Sequence, residues 1–339
     1  MKDYSNILII KMSSLGDVIH ALPTLYALRQ NLPHAKITWA IHEQFASLLP
    51  GTPWVDEVIV IDKKQLKSPS YLWNLRKELH SRHFDMTLDL QCIAKSAIVS
   101  LLSGSPEKYG YWELREGSQL VNKALVGAHK YDHVIERYLD TVRALGGEVE
   151  GVEFPMPHDH AAEGKIRNRL SELGVTDDYV VVVPGARWIV KEWPLLNFGE
   201  LCIRLCESGK KVVIAGSPDD SEKGQFIENY VKSDDLINLV GQTTMAELIE
   251  LIRHCHIFIS ADTGPLHIAN ALKKPLIALF GTTSPHRTGP YGGSHVHLII
   301  SPTSKATPEQ PLVDDSDCMA QIPVDAVWDV YSEMLRKDL

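Results

Sequence analysis

Apolar and polar positions change period block by block along the chain. Residues 7–11 form a short apolar run rich in isoleucine, which reads as a buried strand. Leu22, Leu25 and Leu28 then recur at helical spacing within 18–30. The same reading gives strands over 36–41, 58–61 and 86–90, and helices over 71–82, 94–102 and 134–145. The texture shifts at 146–160, which is rich in Gly, Pro and His, with Pro155 and Pro157 disfavouring helix. The pattern restarts at the apolar strand 179–183 and continues with helix 196–207, strand 211–215, and helices 220–231 and 245–253. A strand at 257–260, a second at 275–280 and a tail helix at 324–335 follow.

Alternating strands and helices predict parallel α/β architecture. The texture shift, together with a length of 339 residues, predicts two domains. The expected division is 1–160, 161–322 and a terminal helix at 323–339; helix 161–173 fits either side of the join. In open parallel sheets ligands sit beyond the carboxyl ends of the strands, so a cleft between two such halves is the expected active site.

Composition narrows the class. Hydrophobic content of 44% and charged content of 23% suit a globular protein. No apolar run approaches the roughly 20 residues that span a bilayer. Lys11 ends the first apolar patch too early for a signal-peptide core, so a cytoplasmic location is expected. The net charge of −9 argues against broad nucleic-acid binding, while Lys63, Lys64 and Lys67 make a small local basic cluster. The 5 cysteines, Cys92, Cys202, Cys206, Cys255 and Cys318, lack zinc-ligand spacing. They are expected to be free thiols in a reducing compartment, with Cys202 and Cys206 packing on one helix.

Candidate chemistry concentrates in two strand–turn–helix units. In the later one, a strand ends at Asp262 and a Thr263-Gly264-Pro265 turn opens a helix from Leu266. Pro265 suits the first helical position. Gly264 admits close approach to the backbone, and the helix start offers N–H groups and a partial positive charge to an anion. A phosphate or diphosphate is the expected guest. In the earlier unit, strand 7–11 runs through Ser13-Ser14-Leu15-Gly16 to Asp17. Asp17 reads either as a helix cap, a duty Ser13 or Ser14 can share, or as a general base.

The strings Asp-Thr-Gly-Pro-x-His, Ala-x-Ala-Leu, Ala-Leu-Phe-Gly-x-Thr and Gly-Pro-Tyr-Gly within 257–292 resemble the donor-site signature of the heptosyltransferases, glycosyltransferase family 9. The amino-terminal Lys-x-Ser-Ser-x-Gly-Asp-Val-x-His-x-Leu-Pro is similar to the amino terminus of the same family. The resemblance implies a GT-B fold of two Rossmann-like domains whose tail helix crosses back onto the first. It implies metal-independent, inverting transfer of L-glycero-D-manno-heptose from ADP-heptose, without a cofactor, to Kdo of lipid A. That acceptor is an anionic glycolipid at the cytoplasmic face of the inner membrane. Transfer to a heptose acceptor, a nucleotide-sugar epimerase or hydrolase, and a catalytically silent binding protein are the rivals.

The resemblance also assigns roles. Asp17 maps onto the proposed base, with Ser14 and Gly16 beside it on the acceptor side. Lys191, in a strand–loop–Lys-x-Trp-Pro pattern, maps onto the residue that reaches the diphosphate; an exposed loop lysine is the alternative. Asp262, Thr263, Gly264, His267 and the spare cation Arg187 complete the donor side. Glu222 maps onto the ribose-binding acid, or stabilises a helix start. Asp89-x-Gln91-Cys92-x-x-Lys95-Ser-Ala resembles an acceptor string in which Gly is usual at position 92. Gln91, Lys95, Arg115, Lys63, Lys64 and Lys67 would form the basic acceptor surface. Asp315-Ser316-Asp317 is a formal Asp-x-Asp in a polar loop and reads as solvated; no metal is implied.

Overall fold

In the computed structural model, residues 1–175, 178–315 and 317–337 are described. Ser316, in the formal Asp-x-Asp, lies outside them. The chain divides into two compact units, Met1–Pro157 and His158–Leu339.

The first unit carries β1 (Asn6–Ile10), α1 (Leu15–Asn31), β2 (Lys36–Ile41), β3 (Glu57–Val60), α2 (Pro69–His80), β4 (Met86–Asp89), α3 (Ala94–Leu102), β5 (Glu107–Tyr111), β6 (Lys123–Leu125) and α4 (Val134–Ala144). Its strands form one 6-stranded sheet in the order β3-β2-β1-β4-β5-β6, and every pairing is parallel. The central strand β1 is buried along Ile7–Ile10, the continuous apolar run that a sheet covered on both faces requires. Leu8, Ile10, Ala40 and Val99 share a core with Leu75 and Leu79 of α2.

The second unit carries α5 (His160–Glu172), β7 (Tyr179–Val183), α6 (Leu195–Glu207), β8 (Lys211–Ile214), α7 (Ser221–Val231), β9 (Leu236–Asn238), α8 (Met245–His254), β10 (Ile257–Ala261), α9 (Gly264–Ala271), β11 (Leu276–Phe280), α10 (Pro285–Thr288), β12 (Val296–Ile300) and α11 (Val324–Lys337). Its sheet is again 6-stranded, β12-β11-β10-β7-β8-β9, and all parallel. Numbered from its own first strand, this is the strand order of the first sheet. Chain order therefore reverses between β1 and β4 in one sheet and between β7 and β10 in the other. Loops diverge at such switch points and leave a crevice at the carboxyl ends of the strands.

The expected strands and helices recur, with shifted ends. Helix α1 begins at Leu15 rather than at 18, and α9 at Gly264, which makes Pro265 its second residue. The sequence reading had no strand at β5, β6, β9 or β12. Three of these are sheet edges, and two of those are only 3 residues long. Strand β5 is interrupted by Gly110. The tail set apart at 323–339 counts with the second unit over its described part. Val327, Tyr331 and Met334 of α11 enter a core with Phe198, Leu201, Ile277 and Leu279. All 5 cysteines are free and buried, and Cys202 and Cys206 pack in that core as expected. Among the described residues no helix is long and apolar enough to cross a membrane.

Candidate active site

At the first switch point the loop after β1 meets the loop after β4. The Gln91 side-chain oxygen accepts from the amides of Met12 and Ser13, each at 3.1 Å. This fixes the loop that delivers Asp17 to the third position of α1. There Asp17 Oδ2 accepts from the Ser14 amide at 3.1 Å and from Ser14 Oγ at 2.6 Å. Both bonds stabilise the helix start, where a carboxylate also meets the positive end of the dipole. Asp17 is thus not the cap itself: Ser14 holds the cap position and Asp17 closes the capping box from the third position. This is compatible with a base, because the bonds orient the carboxylate at the crevice. His20, one turn on, stacks edge-on to His133 at 5.6 Å.

Beneath the loop is a buried polar layer. Lys11, at 3% exposure, donates to the Leu90 carbonyl at 3.0 Å and to the Tyr138 hydroxyl at 2.8 Å. Its ammonium also lies 5.0 Å from the Tyr138 ring centroid. Burial first, then the Asp17 carboxylate, pushes the Tyr138 hydroxyl well above its ordinary range, so it stays protonated beside the candidate base. Asp89 is fully buried. It accepts from the amides of Gln91 and Cys92 and from Ser96 Oγ and Asn122 Nδ2, at 2.8–2.9 Å. Desolvation raises its pKa from 3.8 to about 6, against the pull of these donors.

Cys92, where the resemblance expects Gly, has φ 53. A left-handed backbone explains the usual glycine. Here a thiol takes its place, donating to the Asp89 carbonyl at 2.8 Å.

At the second switch point the loop after β7 meets the loop after β10. Lys191, ending a short 3-10 turn (Ile189–Lys191), reaches Asp262 Oδ2 at 2.6 Å. Thr283 Oγ1, from the loop after β11, donates to the same oxygen at 2.8 Å. His267 Nε2 stands 3.9 Å from Asp262 Oδ1. Asp262 and His267 are both buried. The neighbouring N-cap, Thr263, makes no side-chain cap bond, so helix α9 opens onto this group without a side chain closing it.

The loop carrying Lys191 is fixed from behind. The Glu192 carboxylate accepts from the Ala186 amide at 3.1 Å and pairs with Lys223, which also holds Asp220 at 2.9 Å. Gly185 is required here, because a Cβ would fall 2.2 Å from the Asp220 carboxylate. Trp193 is buried, donating to the Ile322 carbonyl at 2.9 Å.

The structure thus brings Lys191, Asp262, Thr263, Gly264 and His267 together in one unit, and Ser14, Gly16, Asp17 and Gln91 in the other. Glu222 is exposed on the first turn of α7, and Arg187 is exposed in the loop before Lys191. Lys63, Lys64, Lys67, Lys95 and Arg115 are exposed. The Arg115 amide donates to the Cys92 carbonyl at 3.0 Å, which ties it to the Gln91 turn. Asp315 has Lys305 at 3.9 Å. The sequence reading gave no role to Lys11, Tyr138, Asn122 or Thr283. Lys11 carried a signal, a lysine closing an otherwise apolar strand; the others come from distant segments.

A family model described as glycosyltransferase family 9 (heptosyltransferase) matches residues 72–318. Lipopolysaccharide heptosyltransferase 1 of Pseudomonas aeruginosa is 28% identical over 305 residues, covering 86% of this chain and 83% of that protein. Lipopolysaccharide heptosyltransferase 3 of Escherichia coli is 27% identical over 338 residues, covering 95% and 96%. The crystal structure of a family 9 glycosyl transferase from Veillonella parvula superposes with a TM-score of 0.87 at 23% identity, over 99% of both chains, which shows the shared fold. The matching architecture and the reach of the family model together place this chain in glycosyltransferase family 9, the heptosyltransferases of lipopolysaccharide core synthesis, with two Rossmann-like halves of GT-B type.

Proposed function

We propose that this enzyme transfers L-glycero-D-manno-heptose from ADP-heptose to Kdo of lipid A, with inversion, at the cytoplasmic face of the inner membrane. The observation that carries the donor side is the Lys191–Asp262 pair at 2.6 Å beside the uncapped start of α9. It supplies a cation, helix N–H groups and a hydroxyl-accepting carboxylate where a diphospho-sugar needs them.

The acceptor hydroxyl attacks the anomeric carbon as the bond from that carbon to the phosphate oxygen breaks. The hydroxyl proton passes to Asp17. The electron pair of the broken bond leaves on the diphosphate, whose growing charge Lys191 and the α9 amides stabilise. Asp262 is then free to accept a sugar hydroxyl once Lys191 turns to phosphate. Glu222 is proposed for the ribose and Arg187 as a second cation. Lys63, Lys64, Lys67, Lys95 and Arg115 are proposed to meet the anionic acceptor. A heptose acceptor is the rival reading, because heptosyltransferases 1 and 3 match this chain at 28% and 27% identity.

The test is ADP release from ADP-heptose with either Kdo-lipid A or its heptosylated product as acceptor. Turnover with Kdo-lipid A alone is expected. Turnover only with the heptosylated acceptor would transfer the assignment, and ADP release without either acceptor would make the enzyme a hydrolase.

A further inference from the structure

Where the chain passes into the second unit, three imidazoles converge on one carboxylate. His158 precedes α5, His160 opens it and Glu163 stands one turn further along. His158 Nε2 lies 2.9 Å from Glu163 Oε2, and His160 Nδ1 lies 3.5 Å from the same oxygen. The three ligand atoms lie within 4.8 Å of one another, and the His158 and His160 rings are tilted by 54° with centroids 4.2 Å apart. From the end of α8, His254 Nε2 reaches the other oxygen, Oε1, at 3.1 Å. None of these residues belongs to the proposed transferase machinery.

We propose that His158, His160 and Glu163 form a binding site for a divalent transition ion of the zinc class. Zinc bonds of about 2.0–2.2 Å to N and O at a tetrahedral angle separate ligand atoms by roughly 3.4 Å. The separations of 2.9 and 3.5 Å fall on either side of that value. Two imidazoles with one carboxylate suit a borderline ion, whereas calcium and magnesium take oxygen ligands. Three protein ligands leave a coordination position for water.

The surroundings hold the ligands in place. His254 Nε2 stands 3.1 Å from Oε1, on the oxygen not shared by His158 and His160, the place where outer support for a ligating carboxylate belongs. Asp159, between the two histidines, caps the amides of Ala161 and Ala162 at 2.9 and 3.0 Å. This fixes the helical turn on which His160 and Glu163 sit. His160 is 84% exposed, so an ion arrives from solvent without any opening of the fold. A bound ion would clamp the segment before α5 onto the helix itself.

The test is calorimetric titration of the tag-free full chain with Zn2+ alone, followed by a thermal-melt series over the same concentrations. The expected result is one ion per chain, a melting temperature that rises and saturates with ion concentration, and affinity at least tenfold weaker in His160→Ala and Glu163→Gln. His160 is so exposed that its alanine variant folds whatever the outcome for Glu163→Gln, which far-ultraviolet circular dichroism checks separately. Absence of saturable binding overturns the proposal. So does equal affinity in wild type and His160→Ala, which would assign the heat to other histidines.

Discussion

At the first switch point a neutral amide ties the two loops together, Gln91 accepting from Met12 and Ser13. At the second the tie is an ion pair, Lys191 to Asp262. The strand order is the same in both sheets, so the topology provides two equivalent crevices and the side chains make them different. The neutral tie fixes the loop that leads to Asp17, the carboxylate proposed as the base. The charged tie holds a cation that an incoming polyanion can claim. In the proposed reaction the first crevice takes the proton and the second receives the negative charge, the two needs of a displacement at a sugar carbon.

The sharpest way to break this contrast is Asp17→Asn, which keeps an acceptor for Ser14 and removes the base. A loss of about 10²–10⁴ in the rate of ADP release is expected, with donor affinity unchanged by calorimetry. Near-wild-type turnover would reduce Asp17 to its part in the capping box. Lys191→Ala comes next. Removing one stabilising donor costs on the order of 10²–10³ in kcat, and here donor affinity should fall too. If affinity alone falls, Lys191 binds ground state and transition state equally.

Asp89→Asn probes the support of the neutral crevice. Asparagine cannot accept from every donor now facing Asp89, so unfolding free energy should drop by about 1–3 kcal/mol. The pH dependence has a defined sign. The Asp89 pKa is raised from 3.8 to about 6 in the folded protein. Its contribution is therefore fully present below about pH 4 and is lost as pH rises through 6. Denaturant titrations across that window should show the wild type losing stability that the variant does not lose. A parallel pH profile would mean that Asp89 is already ionised at low pH. The smallest effect is Cys92→Gly. Relief of a left-handed backbone, about 1–2 kcal/mol, opposes loss of the buried thiol contact, and the melting temperature should move by only a few degrees. A large fall would show that the thiol's packing outweighs the strain.

The legible parts of this molecule are those where one segment suffices. Strand β7, Tyr-Val-Val-Val-Val, announces a central parallel strand by itself. Asp17 and Lys191 stand in compact motifs, and the Asp262 turn carries its helix directly behind it. What the sequence hid is non-local. Asn122 reaches Asp89 across 33 positions and Thr283 reaches Asp262 across 21; neither pairing leaves a local period. Lys11 meets Tyr138 across 127 positions, so a lysine that looked like the end of an apolar run is a buried strut. The edge strand β12 was missed although it is apolar, because Leu298 and Ile300 face solvent and nothing nearby completes an alternation.

The leash on Lys191 has a bearing on what the unliganded enzyme ignores. An ammonium standing alone at a helix start would gather stray sulfate and orthophosphate from its surroundings. Bonded to Asp262 at 2.6 Å, it presents almost no net charge. A small anion must separate two opposite charges before it can settle, whereas in the proposed binding mode a diphospho-sugar also offers a second phosphate to the helix and hydroxyls to Asp262. Discrimination against common cellular salts would follow from the proposed donor role of Lys191.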